Sequence, residues 1–226
     1  MFTNVNLSAP LGALAIVGTG FVFMILAIAL VYGLTKHEFR LSRGVLTVAV
    51  LLAATYLGAM LIFSFVSKEQ LLARGQEKHF CELDCHIAYS ILDVQQAKTL
   101  GAETAGGSFY VVTVKSRFDE RTISANRGDG PLKPNSRIVT VVDDRGRTFF
   151  PSETGERALV AMNNAGTDLT TPLRPGQSYT TRFVFDLPAD IQNPTLLMRE
   201  GEWLTYFVIG HENSLLHKKT RFQLAT

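Results

Sequence analysis

The chain has 226 residues, 46% of them apolar and 19% charged, and its 22 Lys+Arg against 20 Asp+Glu leave a formal net charge of +2. This balance argues against a nucleic-acid footprint, which needs basic residues clustered on one face. The averages conceal an uneven distribution, because residues 11–34 and 45–66 contain no Asp, Glu, Lys, Arg or His.

Each of these runs exceeds the roughly 18 apolar residues that mark a membrane-spanning helix. Residues 11–66 are therefore expected to form a two-helix transmembrane hairpin behind an N-terminal tail, 1–10. The tail holds no Lys or Arg, and the first run is too long for the apolar part of a cleaved signal peptide, so the first span reads as retained. The connection 35–43 carries Lys36, Arg40 and Arg43 against Glu38. The positive-inside rule places that loop in the cytoplasm. The expected location is a bacterial inner (cytoplasmic) membrane with both termini and the C-terminal domain on the periplasmic side. Ala29 with Gly33 and Ala54 with Gly58 are small residues four apart, which let helices approach closely within the hairpin or against another membrane protein. The spans lack the intramembrane charge typical of pumps, proton relays and ion pathways, which argues against those functions.

Residues 67–78 (SKEQLLARGQEK) read as a short polar stalk. Fully extended, it reaches about 40 Å at roughly 3.3–3.6 Å per residue. The domain it carries, 79–226, is thereby held near the bilayer, which favours partners in the same membrane.

That domain reads as β-rich. Runs of β-branched and aromatic residues occur at 109–114 (FYVVTV), 137–142 (RIVTVV), 147–150, 179–186 (YTTRFVFD), 203–209 (WLTYFVI) and 220–224, with a further strand expected near 88–94. Turn signals at Asp143-Asp144-Arg145-Gly146, 172–176 (PLRPG) and 190–194 separate them. About seven antiparallel strands at this spacing predict an all-β immunoglobulin-like sandwich. Trp203, Tyr206 and Phe207 are expected in its core or on a sheet surface. The phrases 179–188 (YTTRFVFDLP) and 209–224 (IGHENSLLHKKTRFQL) resemble the last strands of immunoglobulin-like domains found on many bacterial envelope proteins of unknown function. The resemblance covers roughly 86–226 and implies a fold, not an activity.

Both cysteines, two of the five histidines and two carboxylates fall in His79-Phe80-Cys81-Glu82-Leu83-Asp84-Cys85-His86. Three readings compete. In an oxidising compartment Cys81 and Cys85 can close a local disulfide. Thiolates with imidazole also suit a soft metal such as copper(I) or zinc, with Cys81, Cys85 and His86 joined by His211 or His217 as ligands. The gross plan of a two-helix hairpin followed by a β-sandwich is similar to subunit II of the haem-copper oxidases, which implies a Cys-x3-Cys copper centre. In that family His and Met follow the second cysteine, where this chain has Tyr89 and Leu92. Thirdly, Cys81-x3-Cys85-His86 is similar to a lengthened c-type haem attachment motif, whose usual spacing is two residues. The cofactor expectation is none, with copper and then c-type haem as alternatives.

His211 and His217 flank Glu212-Asn213-Ser214, a turn signal, and read as exposed loop histidines beside their reading as ligands. Asp119-Glu120-Arg121 and Asp143-Asp144-Arg145 read as solvated loop charge, and 124–134 (SANRGDGPLKP) as a flexible loop despite its Arg-Gly-Asp order. The phosphate-loop, dinucleotide, nucleophile-elbow and zinc-protease patterns do not occur, so no enzyme is expected. The expected role is a non-catalytic accessory subunit that docks in an integral membrane protein complex, respiratory or photosynthetic electron transfer among the candidates, and braces its outer face. The alternative is a metal-handling or electron-carrying protein centred on the cysteines. A surface adhesion or sensor domain is a third reading.

Overall fold

The computed structural model describes residues 8–80, 86–122 and 127–224. Two long apolar helices precede a β-rich region, and the chain divides into two compact units. One unit holds 8–68 with Trp203–Lys218, the other Glu69–Glu202 with 219–224.

In the first unit α1 spans Ser8–Thr35 and α2 spans Phe39–Val66, 28 residues each. At 1.5 Å per residue each is about 42 Å long, more than the ~30 Å of bilayer hydrocarbon. The turn is tighter than the expected loop, because only 36–38 lie outside the helices and Arg40 and Arg43 already belong to α2. His37 takes a left-handed φ of 58°, and the Glu38 N–H closes the turn on the Gly33 carbonyl at 2.8 Å. A Cβ at Gly33 would sit 2.7 Å from Ser42 Oγ, so this glycine permits the close approach of α1 and α2. Gly58 has no neighbour within 4 Å of a Cβ position and Ala54 is exposed, which leaves the second small-residue pair outside the hairpin contact.

The expected strand at 203–209 is not one. Trp203–Phe207 is a 3₁₀ turn, and Trp203–Lys218 joins the helices instead of a sheet. Tyr56 Oη donates to the Phe207 carbonyl at 2.7 Å. Gly12 packs so tightly on the Ile209 carbonyl that a Cβ there would overlap it. The Lys218 N–H donates to Ser67 Oγ at 2.8 Å. Trp203, Tyr206 and Phe207 are exposed, neither core nor sheet surface.

The second unit contains β1 (Gln70–Leu72), β2 (Lys78–Phe80), β3 (Ile87–Leu100), β4 (Glu103–Phe118), β5 (Arg137–Val142), β6 (Thr148–Phe149), α3 (Glu153–Ala161), β7 (Ser178–Leu187), β8 (Thr195–Glu200) and β9 (Thr220–Gln223). One sheet has the order β1-β9-β8-β5-β6 and the other β2-β3-β4-β7. All pairs are antiparallel except β1 with β9, which run parallel. The main core draws on both sheets, with Ile87, Tyr89, Ile91, Val112, Phe118 and Phe185 from one and Val141, Leu196, Met198 and Phe222 from the other. Alternate residues of each strand thus meet in a shared apolar layer.

Two expectations change. Residues 67–78 are not a free stalk, because β1 and the first residue of β2 are built from them. The region is also not purely β. Ser152 caps α3 by accepting the Gly155 N–H at 3.2 Å, and Glu153 and Glu156 lie in its first turn, where a helix favours negative charge. The helix packs on the outer face of the second sheet, where Leu159 meets Phe109, Val111 and Val184.

Candidate functional site

The polar cluster with the most developed geometry grows from strand register. His79 on β2 pairs with Ala88 on β3, and Ala88 pairs with Arg117 on β4, so the three residues form one row across the sheet. The neighbouring row, Phe80, Ile87 and Phe118, supplies the core. Side chains alternate across a strand, so the His79 row faces away from that core. Ala88 is too small to separate its neighbours, and charged side chains converge over it.

Arg117 forms a two-pronged pair with Glu77, Nε to Oε1 and Nη2 to Oε2, both at 2.7 Å. The same Nη2 reaches Asp119 Oδ2 at 3.1 Å, and His79 Nε2 lies 3.2 Å from that oxygen. The Arg121 N–H donates to Asp119 Oδ1 at 3.1 Å. The side chains of His79 and Asp119 are 2% and 3% exposed, so this is an interior site. Asp119 is therefore not solvated loop charge.

Burial by itself would raise the Asp119 carboxyl; hydrogen bonds from Arg117, the Arg121 N–H and His79, with the Arg117 charge, overcome this and hold it at about 2. The hydrogen bond from Arg117 lowers Glu77, and Arg117 is raised in turn, chiefly by Glu77. An ionised carboxylate only accepts, so the His79 nitrogen facing Asp119 carries the proton. Ligand atoms of Glu77, His79 and Asp119 lie within 4.8 Å of one another, a spacing that fits a metal ion. Arg117 already bridges both carboxylates and supplies the positive charge between them.

The expected ligands divide between the units. Cys81 and Cys85 lie outside the described residues, in the connection between β2 and β3. His86, just after that connection, is buried and stacks on Phe118 with ring centroids 5.1 Å apart. Its carbonyl accepts the Asp119 N–H at 2.7 Å, which links the cysteine connection to the charged cluster. His211 and His217 belong to the helical unit. His211 is buried, not an exposed loop residue, and its Nδ1 accepts the Asn213 N–H at 2.9 Å. His217 Nδ1 is 2.7 Å from the Lys218 carbonyl oxygen.

The sequence does not single out Glu77 or Arg117, and Asp119 reads there only as solvated loop charge. The available signal was weak: Glu77 with His79, and Arg117 with Asp119, are i,i+2 pairs beside apolar strand residues. Asp143 is a second buried acid taken for loop charge; it accepts the N–H groups of Arg145 and Arg147 at 3.0 and 2.8 Å and pairs with Arg147 Nε at 2.7 Å. That cluster closes the β5–β6 hairpin. A cleft of about 300 Å³ lies between α3 and β7, lined by Glu156, Leu159, Thr181 and Arg182. Burial, then the nearby Glu153, raises the Glu156 carboxyl.

No family model matches the chain, and no curated protein does. Solved structures with some similarity to the chain include the secreted protein MPT63 of Mycobacterium tuberculosis, at 9% identity and TM-score 0.43, covering 69% of this chain and 98% of that one. The yjhA protein of Bacillus subtilis matches at 11% identity and TM-score 0.41 over 68% of this chain and 99% of its own. A conserved hypothetical protein of Bacillus anthracis matches at 13% identity and TM-score 0.40 over 56% and 89%.

Proposed function

We propose that the protein is a non-catalytic, membrane-anchored accessory subunit. In this reading α1 and α2 cross a bacterial inner membrane, the β unit is an immunoglobulin-like sandwich on the periplasmic side, and the hairpin docks in a larger integral membrane complex whose outer face the sandwich braces. The observation that carries the reading is the open small-residue face of α2. Gly33 is consumed by contact with Ser42, whereas Gly58 and Ala54 contact nothing comparable within the hairpin. Such a face admits a neighbouring helix backbone. Among the described residues the chain passes between the two units after Lys68, Glu202 and Lys218, which supports a bracing role better than a single stalk would. Respiratory or photosynthetic electron-transfer complexes are the host class that suits this architecture. Extraction in mild detergent followed by native gel electrophoresis tests the proposal: comigration with other integral membrane proteins is expected, and migration only as a free monomer overturns it.

A second reading rests on one observation: the buried imidazoles of His79 and His86 flank the connection that contains Cys81 and Cys85. A copper-handling or electron-carrying centre would use that set. Metal analysis and visible absorption of the full chain purified without chelator decide it. Stoichiometric metal or a haem spectrum supports the second reading, and a metal-free protein with a Cys81–Cys85 disulfide by mass spectrometry removes it.

A further inference from the structure

We infer that Trp203–Lys218 is a third membrane element, one that does not span the bilayer but lies within its outer leaflet with its apolar surface against lipid acyl chains. The inference rests on the reading that α1 and α2 cross the membrane.

Position is the first argument. The segment belongs to the helical unit. It is tied there to the hairpin, through the Ile209 carbonyl on Gly12 near the start of α1 and the Phe207 carbonyl on Tyr56 Oη in α2. Tyr56 lies ten positions before Val66, the last residue of α2, which is about 15 Å along a helix axis. Both anchors fall inside the uncharged runs, so the segment sits beside the part of the helices that hydrocarbon surrounds.

The second argument is an inverted distribution of polarity. His211, Asn213 and Ser214 are buried. Trp203, Leu204, Tyr206, Phe207, Leu215 and Leu216 are all exposed, Trp203 at 65%. A segment solvated by water buries its large apolar side chains and exposes its amides and hydroxyls. Apart from the buried Val208 and the exposed Lys218 at its end, this one does the reverse, as an element solvated by lipid must.

Hydrogen bonding supplies the third argument, because irregular backbone at membrane depth needs its polar groups satisfied by protein. Here the His211 N–H reaches the Val208 carbonyl at 3.1 Å, the Ser214 N–H the His211 carbonyl at 2.9 Å and the His217 N–H the Ser214 carbonyl at 3.1 Å. Ser214 Oγ donates to the Val208 carbonyl, and Asn213 Nδ2 donates to Thr205 Oγ1 at 2.8 Å. The buried polar residues thus serve the segment's own turns. Trp203 and Tyr206 are the residue types that collect at the membrane interface, and Lys218 ends the segment, with Lys219 next in the chain.

Trp203 is the only tryptophan of the chain, so the native protein carries its own probe. The experiment uses the full chain in phosphatidylcholine vesicles, separated by flotation, with fluorescence read in plain vesicles, in vesicles of lipid brominated on the acyl chains, and with aqueous iodide. The expected result is blue-shifted emission that loses most of its intensity to brominated lipid and little to iodide. The double variant Trp203→Phe, Leu215→Trp should behave alike, since both positions are exposed side chains of the same segment. Floated protein with red-shifted emission, quenched by iodide and indifferent to bromine, overturns the inference; the surface would then await a protein partner. That outcome leaves the accessory-subunit reading intact, because comigration tests the latter separately. Protein that fails to float overturns the membrane anchoring on which both depend.

Discussion

Arg117 and Glu77 meet as two parallel hydrogen bonds of 2.7 Å, on a site one side of which is the buried Asp119. Replacing Arg117 leaves two carboxylates facing each other without their shared cation. Arg117→Met is expected to destabilise the β unit by about 3–5 kcal/mol, the usual cost of breaking a buried ion pair from one side. Glu77→Gln, which keeps an acceptor and removes a partly exposed charge, should cost about 1 kcal/mol. Thermal unfolding of the full chain in neutral detergent, followed by near-ultraviolet circular dichroism, measures both. Equal effects would show that Asp119 does not depend on Arg117.

The same cluster predicts acid sensitivity. Asp119 is held at about 2, below its ordinary value of 3.8, and Glu77 is lowered too. A carboxyl lowered in the folded state binds fewer protons than it does in the unfolded chain, so its stabilisation is complete above the ordinary value and disappears as pH falls towards 2. The unfolding midpoint should hold between pH 7 and 5 and fall between pH 4 and 2. Asp119→Asn should flatten that fall while lowering the midpoint at neutral pH.

Lys78 joins the two sheets from within. Its ammonium is buried, donates to the carbonyls of Met198 on β8 and Thr220 at the start of β9 at 2.7 and 3.1 Å, and lies 4.8 Å from the centre of the Phe80 ring. Lys78→Met keeps the volume and removes both bonds, leaving two carbonyls short of a donor; a loss of about 1–3 kcal/mol is expected. No change in the unfolding midpoint would mean that methionine packing compensates in full.

Gly107 tests backbone crowding. A Cβ there would overlap the Leu187 carbonyl and lie 2.8 Å from Pro188 Cα, and its N–H and that of Gly106 already hold the Asp186 carboxylate at 2.9 and 2.7 Å. Gly107→Ala should destabilise by about 2–3 kcal/mol. Gly130→Ala has open space around it and should stay within about 0.5 kcal/mol.

Gly58→Ile separates docking from folding. Nothing lies within 4 Å of the new Cβ, so the isolated chain should unfold at an unchanged temperature. Comigration with a host complex should be lost if this face meets another helix. A variant that still comigrates assigns docking to another surface.

The two long apolar helices were legible because charge is absent from two long runs of helix-spanning length. Strand β5 coincides with the expected run 137–142, whose valines and isoleucine suit a half-buried surface. Strand β8, TLLMRE, was missed because Leu, Met and Glu carry no strand preference; pairing with β5 along its whole length creates it. Helix α3 was missed although Ser152 and the acids after it mark a helix start. At 203–209 the error ran the other way: aromatic and β-branched residues fit a sheet surface and a bilayer boundary equally well, and propensity cannot distinguish them. The charged cluster stayed hidden because Glu77 and Arg117 are brought together only by the register of β2, β3 and β4.

The one parallel strand pair among the described residues of the β unit couples distant moments of synthesis. Strand β1 follows α2 directly, yet its partner is β9, with Gln70 opposite Thr220 and Leu72 opposite Phe222. A ribosome delivers β1 as soon as the hairpin is made and β9 only after every other strand has emerged. Until then β1 lacks its paired strand, since among the described residues β9 separates it from the rest of its sheet. Such a long-range closure is slow and leaves an unpaired edge in the interim. The nascent chain therefore carries its earliest strand without its partner until synthesis is nearly complete, and shortening the chain before Thr220 would free that strand for good.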